Sequence, residues 1–199
     1  MTEKQKMLAG LAYDSRDTEL LDLYHNARSL LRRLNHIDSR DTSQRQHLLE
    51  QLLGSVGEHV WLETPFFCDY GELIFIGHNT FIHGNCTFID NHTITIGNNS
   101  LIGPSVQIYT ASHPLQASER VYTDPLHPNK TRYKTYSSPV KIGHNTWIGG
   151  NSIILPGVTI GDNTTIGAGS VVASDIPSGV LAVGNPCRVV GPLENRETS

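Results

Sequence analysis

Ten histidines give this 199-residue chain several side chains that could move a proton or hold a metal ion. Because the unperturbed pKa of imidazole is near 6.5, a histidine can take a proton from an alcohol at neutral pH. His113, in the segment TASHP, stands where a repetitive pattern stops and a long irregular segment starts. A side chain at such a break can leave a repetitive core and face a groove. Position alone leaves both a catalytic and a structural role open for it.

A metal site is the competing chemistry for the other histidines. His78 and His83 have the spacing H-x-x-x-x-H, His144 lies in another repeat, and zinc needs three such ligands to converge. However, His78 and His144 both occupy the third position of IGHN, where IGNN and IGDN carry Asn and Asp. This shared position favours a corner residue, so we predict no metal. Three cysteines, which form no C-x-x-C pair, are predicted to be buried reduced thiols: Cys68, Cys86 and Cys187.

A period of six residues organises the chain from Ile76 onward. Aliphatic residues fall at successive steps of six, and small residues follow most of them, at Ile142, Ile148, Ile154, Ile160, Ile166 and Val172. The earlier half keeps one register at Ile76, Ile82, Phe88 and Ile94, then another at Ile96, Ile102 and Ile108. The slip follows Asp90, Asn91 and His92, which predicts a bulge or short insertion there.

Six residues suit a short strand followed by a corner, and three such units complete one coil. The aliphatic residues then stack inward as a ladder, strands of successive coils pair in parallel, and Gly, Asn and Asp tolerate the corners. We therefore predict a mainly β fold, a parallel β-helix over residues 59–190. Residues 1–58 are expected to form a helical cap, and residues 191–199 a tail.

The N-terminal cap contains two predicted helices. From Glu19 to Leu34, apolar residues recur at steps of four and three, which indicates an amphipathic helix. A second helix is predicted from Ser43 to Leu53, with a capping box between Ser43 and Gln46 and a stop at Gly54. The repeat breaks over residues 114–138, here named the arm. Its prolines and tyrosines favour an ordered extended structure of functional importance.

The composition narrows the function classes. A net charge of −4 without basic runs gives no electrostatic basis for binding nucleic acid. No apolar stretch approaches the roughly 20 residues needed to span a membrane. The start, MTEKQKMLAGLAYDS, lacks the apolar segment of a secretory signal, so we expect a cytoplasmic protein.

The motifs together resemble the maltose and galactoside O-acetyltransferases. The resemblance runs from about Met7 to Val190 and rests on the hexads with NCTFID, IYTASHP, IGHNTWIGGNSIILPGVTIGDN and VGNPCRVV. It implies a left-handed β-helix, a homotrimer with active sites between subunits, and acetyl-CoA as donor. It also implies that a sugar hydroxyl attacks without a covalent acetyl-enzyme, and it assigns His113 as the general base.

The resemblance further implies binding residues. Acceptor contacts map onto Asp14, Asp69, His83, Asn85 and Asn91. At His83 these enzymes usually carry asparagine, so the acceptor pocket is expected to differ. Donor contacts map onto small residues along a groove, a tryptophan by the active site and an arginine for the CoA phosphates: Gly150, Ala168, Ala173, Ser174, Trp147 and Arg188.

Other functional hypotheses stay open for the same fold. A xenobiotic acetyltransferase shares the fold, the donor and the histidine, and the segment between Gln116 and Ser138 looks longer than in the sugar enzymes. Less favoured are a metal enzyme similar to the gamma-type carbonic anhydrases and a scaffold protein that has lost catalysis. The presence of His113 argues against the scaffold.

Overall fold

The computed structural model describes residues 1–124 and 127–193. Pro125 of the arm and the part of the predicted tail from residue 194 onward lie outside these described residues. Four helices are present in the described chain: α1 (Glu3–Leu8), α2 (Thr18–His36), α3 (Thr42–Leu52) and α4 (Ala117–Arg120). Within the described residues no helix combines the length and the apolar character needed to cross a membrane.

Short strands make up most of the remaining chain. In chain order they are β1 (Ser55–Val56), β2 (Trp61–Leu62), β3 (Phe66–Cys68), β4 (Ile74–Ile76), β5 (Phe81–Ile82), β6 (Cys86–Ile89), β7 (Ile94–Ile96), β8 (Leu101–Ile102), β9 (Gln107–Tyr109), β10 (Ala111–Ser112), β11 (Val121–Asp124), β12 (His127–Tyr133), β13 (Tyr136–Ser137), β14 (Val140–Ile142), β15 (Trp147–Ile148), β16 (Ile153–Ile154), β17 (Thr159–Ile160), β18 (Thr165–Ile166), β19 (Val171–Val172), β20 (Val180–Val183) and β21 (Arg188–Pro192).

Three sheets form the faces of a β-helix. The first face has the order β1-β4-β7-β14-β17, and the third has β3-β6-β9-β16-β19. The second face has the order β2-β5-β8-β15-β18-β20-β21, in which only the β20–β21 pair is antiparallel. Since the chain visits the faces in turn, three strands complete one coil. The predicted hexapeptide β-helix is confirmed, and its first strand, β1, precedes the predicted boundary at residue 59.

The hexad residues form the predicted ladder inside the three faces. The parallel register places Ile148 between Ile102 and Ile166, and Ile154 between Ile108 and Val172. All six are completely buried. Full burial of one such side chain contributes roughly 1.5–3 kcal/mol, so the ladder contributes strongly to the stability of the fold.

The corner between the first and second faces, here named the Asn corner, is regular from coil to coil. Asn79, Asn99, Asn145 and Asn163 all have positive φ there, near 55°, where asparagine is tolerated better than most residues. Each of the first three donates its amide to the next asparagine along the axis, at 3.0–3.1 Å. The Asn, Asp and Gly residues of the hexads are therefore explained by backbone geometry.

The corner between the third and first faces is wider in the lower coils. From inward-facing Phe88 to inward-facing Ile96 the chain takes eight residues, two more than a hexad, and the same holds from Cys68 to Ile76. The predicted register slip is thus confirmed. We name residues 69–73 and 90–93 the wide corner, together with residues 110–113 of the next coil, where Thr110 bonds the Ile89 carbonyl and the arm begins.

The helical cap differs in detail from the prediction. Helix α2 begins where the Asp17 carboxylate accepts the Glu19 N–H at 3.1 Å, and it buries the predicted apolar face. Helix α3 is capped by Asp41, whose carboxylate accepts the Gln44 N–H, so the predicted capping box at Ser43 is wrong. Gly54 has no positive φ; a Cβ there would lie 2.3 Å from the Glu72 carbonyl oxygen, which explains a glycine after α3.

The arm leaves the β-helix after β9 and returns at β14. Strands β11 and β12 pair as an antiparallel hairpin, and β10 pairs with β13 at the root of the arm. The arm is fixed to the N-terminal segment, since Ser137 Oγ donates to the Met7 carbonyl at 2.7 Å and Tyr13 N–H donates to the Thr135 carbonyl at 3.2 Å. Helix α1, which the sequence pattern did not predict, buries Met7 in this contact region.

Candidate active site

A cavity of about 380 Å³ lies at the wide corner, between helix α2 and the root of the arm. It brings together three predicted site residues, Asp69, Asn91 and His113. The remaining lining residues come from the N-terminal segment, helix α2, the β-helix and the arm: Tyr13, Ser15, Leu21, Tyr24, Tyr70, Ile89, Ala111 and Thr135. Three tyrosines and five other polar side chains thus share one concave site.

His113 has a defined orientation in this cavity. Its Nδ1 lies 2.8 Å from the carbonyl oxygen of Lys134 in the arm. Because a carbonyl oxygen can only accept, Nδ1 must carry the proton, and in the neutral imidazole Nε2 then holds a free lone pair. Among the groups lining the cavity, the His113 imidazole is therefore equipped to accept a proton.

The corner histidines are held in the opposite way. His78 Nδ1 accepts the Glu58 N–H, and His144 Nδ1 accepts the Asn98 N–H, both at 3.0 Å. A groove of about 500 Å³ on the first face passes both residues, but His83 lies on the second face. In the described part of the chain, no group of three or more His, Cys, Asp or Glu side chains could hold a metal ion.

Asp69 carries the carboxylate of the cavity. Arg28 of helix α2 lies 3.2 Å from it and stacks over the Tyr24 ring at 4.4 Å. Burial raises the pKa of Asp69, while the Arg28 charge and a hydrogen bond from Asn91 oppose that rise. The Asp69 side chain is about three-quarters buried. Its position in the cavity therefore depends on Arg28 of helix α2 as well as on the backbone of the wide corner.

Asp90 is fully buried next to the backbone of Asp69. Its Oδ1 accepts the N–H groups of Asp69 and Tyr70 at 2.8 and 2.9 Å, which fixes the turn that presents Asp69. Burial raises the pKa of Asp90 to about 7. Among the described residues, the buried side-chain polar atoms without a hydrogen-bond partner are Asp90 Oδ2, Tyr13 Oη and Arg28 Nε. All three belong to this region, where a polar ligand or water would complete them.

Asp14 is beside the cavity and is already paired. Arg132 Nη1 of the arm contacts both of its carboxylate oxygens, at 2.9 and 2.6 Å. Asp14 lines a neighbouring cavity of about 470 Å³ with Tyr122 and Lys134, and Tyr13 borders both cavities. Its predicted acceptor role stays a prediction, and its contact in this structure is with the arm.

His83 and Asn85 do not reach His113 within one chain. They precede strand β6, whereas Asn91 follows it, and four strand residues span roughly 13 Å. His83 packs edge-on against the Phe81 ring at 4.7 Å. Asn85 has positive φ and donates its amide to Ser105 Oγ at 2.9 Å, as a corner asparagine does.

The predicted donor residues lie at three places in the chain: near the start of the third face, at its far end, and in β21 at the edge of the second face. Trp147 is 53% exposed on the second face, and Gly150 and Ala168 follow it at the next corner. Packing requires the first glycine of IGG, since a Cβ on Gly149 would lie 2.4 Å from the Ala168 nitrogen, whereas one on Gly150 would make a tight contact of 3.0 Å with the Pro104 oxygen. Ala173 and Ser174 follow β19 at the far end of the third face, and the Arg188 guanidinium bonds the Cys187 carbonyl.

Several residues of the cavity were not singled out from the sequence. Tyr13, Tyr24 and Tyr70 line it, and Arg28 and Asp90 support Asp69 from below. The register slip after Asp90 was the available signal for the wide corner. Nothing in a local pattern links Arg28 to a carboxylate 41 residues away. The three predicted thiols, Cys68, Cys86 and Cys187, are free and buried, as expected.

A β-helix built of hexads, with a cavity at its wide corner, is the architecture of a hexapeptide-repeat protein. Residues 139–174 match the family model for the bacterial transferase hexapeptide, and residues 6–57 match that for the maltose acetyltransferase hexapeptide capping motif. A solved maltose O-acetyltransferase from Clostridium difficile 630 is 46% identical, with a TM-score of 0.90 over 98% of this chain and 99% of that one.

Two further relatives support the same assignment. The galactoside O-acetyltransferase of Escherichia coli K12 is 36% identical over 99% of this chain and 92% of its own length. A hexapeptide-repeat acetyltransferase from Vibrio cholerae, solved with acetyl coenzyme A, is 37% identical, with a TM-score of 0.85 over 98% of this chain and 100% of that one. The chain therefore belongs to the maltose and galactoside O-acetyltransferase family.

Proposed function

We propose that this acetyltransferase moves the acetyl group of acetyl-CoA to a hydroxyl of a sugar, with His113 as the general base and no covalent acetyl-enzyme. The observation that carries the proposal is the orientation of His113. Its Nδ1–H is committed to the Lys134 carbonyl, which makes Nε2 the proton-accepting nitrogen of a residue that lines a cavity with sugar-compatible groups.

The chemistry needs one proton acceptor that later returns the proton. Nε2 of His113 takes the hydroxyl proton as the alcohol oxygen attacks the thioester carbonyl carbon. When the carbon–sulfur bond breaks, the imidazolium returns the proton to the thiolate, and the products are an acetyl ester and CoA. A single histidine completes this cycle without a net change in its protonation.

Asp69, Asn91 and the three tyrosines favour a sugar as acceptor. A carboxylate and an amide provide hydrogen-bond partners for hydroxyl groups, and aromatic rings pack against the apolar face of a sugar ring. Asp14 is proposed to contact the acceptor from the rim of the cavity. His83 and Asn85 would contribute only from a neighbouring subunit, since they lie at the opposite end of β6 in the same chain.

In a homotrimer with shared active sites, residues near the start of the third face in one subunit would meet residues at the far end of the third face in its neighbour. Leu101 and Trp147 pair on the second face with 39% and 53% of their surfaces exposed, which is unusual for such residues in a monomer. Packing of this column against the third face of a neighbour would bring Trp147, Gly150 and Ala168 close to the partner's His113. The pantetheine chain of CoA would lie along this groove, with Ala173 and Ser174 beside it and Arg188 near the phosphates.

We place this function in the cytoplasm, where the three free thiols stay reduced.

The direct test is thiol release from acetyl-CoA with a panel of maltose, glucose, galactosides, chloramphenicol and a streptogramin. His113-dependent turnover on a sugar supports the proposal. Turnover on chloramphenicol or the streptogramin alone would instead identify a xenobiotic acetyltransferase, the reading that the long arm favours. Silence across the panel with intact CoA binding would refute the sugar acceptor.

A further inference from the structure

The carbonyl group that orients His113 belongs to the arm and not to the β-helix. Lys134, which supplies it, lies directly after the hairpin strand β12. Its own N–H donates to the Arg120 carbonyl at 2.8 Å, also within the arm. The position of the His113 ring therefore depends on how firmly this part of the arm is attached to the rest of the chain.

Besides the Ser137 contact with Met7 at the root of the arm, two contacts close to Lys134 attach the arm to the N-terminal segment, one on each side of Lys134. On one side, Arg132 Nη1 contacts both carboxylate oxygens of Asp14, at 2.9 and 2.6 Å. On the other side, the Thr135 carbonyl accepts the Tyr13 N–H at 3.2 Å. The Arg132 contact is the shorter of the two and the one that carries charge, so we expect it to be the stronger.

Asp14 is itself held in place. Its backbone N–H donates to Glu3 Oε2 at 2.7 Å, and the Lys6 ammonium beside Glu3 lowers the pKa of that carboxyl. The Arg132 side chain is only 16% exposed and that of Asp14 is 36% exposed, so water screens the pair less than it screens a surface salt bridge. A chain of fixed contacts thus runs from helix α1 through Asp14 and Arg132 to Lys134.

We infer that Arg132 is a positioning residue, which holds the Lys134 carbonyl on His113 Nδ1 by way of its ion pair with Asp14. The inference rests on the proposed role of His113 as base. Without the ion pair, the Lys134 carbonyl moves away and the imidazole loses the acceptor that selects its tautomer. The Nε2–H tautomer then becomes populated, and this tautomer cannot take a proton at Nε2.

The test combines the tautomer of His113 with steady-state kinetics. In protein labelled with ¹⁵N-histidine, the His113 signal is identified by its loss in His113→Asn. Wild type is expected to show Nδ1 protonated and Nε2 unprotonated, whereas Arg132→Ala shows a mixture. On maltose or a galactoside, kcat falls by about tenfold in Arg132→Ala, with KM for acetyl-CoA unchanged. Arg132→Lys restores most of the rate, since a single nitrogen makes both contacts with Asp14.

Tyr133→Ala is the matched control on the same strand. Tyr133 is 53% exposed and pairs with Val121, and since it is the next residue in the strand its side chain lies on the face opposite to that of Arg132. This variant is expected to keep both the tautomer and kcat. If Arg132→Ala does not fold, Arg132→Gln replaces it, because the amide removes the charge and keeps most of the packing.

Two results would overturn the inference. One is an unchanged tautomer and kcat in Arg132→Ala, and the other is an equal change in Tyr133→Ala. Failure of the proposed function gives a different pattern, in which His113→Asn turns over sugars as fast as wild type. The tautomer measurement needs no acceptor, so it decides the role of Arg132 in either case.

Discussion

The Asn corner and the wide corner use the same residue types for different purposes. At the Asn corner, the amides form a ladder along the axis and the histidines accept backbone N–H groups through Nδ1. At the wide corner, His113 donates through Nδ1, and three buried polar atoms of the described chain have no partner. The difference indicates that satisfied polar groups build this fold, whereas unsatisfied ones mark its site.

The largest expected effect comes from the same substitution at both corners. His113→Asn should lower kcat by about 10²–10⁴-fold, the usual contribution of a general base, because the amide cannot accept and return the proton. His144→Asn should stay within about twofold of wild type, because Asn98 already fills the equivalent position and a general base contributes nothing there. Thiol release from acetyl-CoA measures the rates of both variants, and titration with CoA checks that each variant still binds CoA. Equal rates for the two variants would remove the distinction between the corners.

The second prediction concerns the ladder that supports both corners. Ile148→Ala should lower the free energy of unfolding by about 2–5 kcal/mol, since it leaves a cavity between Ile102 and Ile166. Denaturant unfolding measures the change, and Ile148→Val should cost about 0.5–1.5 kcal/mol. A loss for Ile148→Ala no larger than that for Ile148→Val would contradict the account of the core.

The regular part of this molecule follows directly from the sequence, because the hexad is a local pattern. In the regular coils each Ile or Val lies above the one three hexads earlier in the chain, so the period of six also predicts which residues are buried. Helix α1 escaped prediction since it is only six residues long and its burial depends on contacts with the arm, including Ser137. Arg28 and Arg132 escaped it because their carboxylate partners, Asp69 and Asp14, are distant in sequence and meet them only in the folded chain.

A third prediction uses the pH dependence of the wide corner. Burial raises the pKa of Asp90 to about 7, well above the value in the unfolded chain. Between about pH 4 and pH 7 the folded state binds a proton that the unfolded state lacks, so stability decreases as pH rises through that window. Asp90→Asn cannot titrate. We expect the unfolding temperature of wild type to fall by a few degrees relative to Asp90→Asn between pH 5 and pH 8.

Differential scanning calorimetry across this pH range checks the prediction. The comparison with Asp90→Asn cancels the contributions of titrating groups that do not interact with Asp90. A constant difference between the two proteins from pH 5 to pH 8 would mean that Asp90 does not titrate in this window.

The smallest expected effect belongs to the Asn corner. Asn145→Ala should cost about 1–2 kcal/mol, because alanine tolerates positive φ poorly and removes one rung of the amide ladder. Asn145→Gly keeps the conformation and should lose less. Thermal unfolding measures both variants. A change in kcat for either variant would show that this corner takes part in catalysis, contrary to our assignment.

The central claim is that a sugar hydroxyl attacks acetyl-CoA directly, with its proton taken by His113. Carbon-13 NMR with carbonyl-labelled acetyl-CoA and the sugar that is turned over tests this in a single turnover. The account predicts a new ester signal on the sugar, formed rapidly by wild type and about 10²–10⁴-fold more slowly by His113→Asn. An ester formed equally fast by both proteins, or a label that first accumulates on the protein, would contradict it.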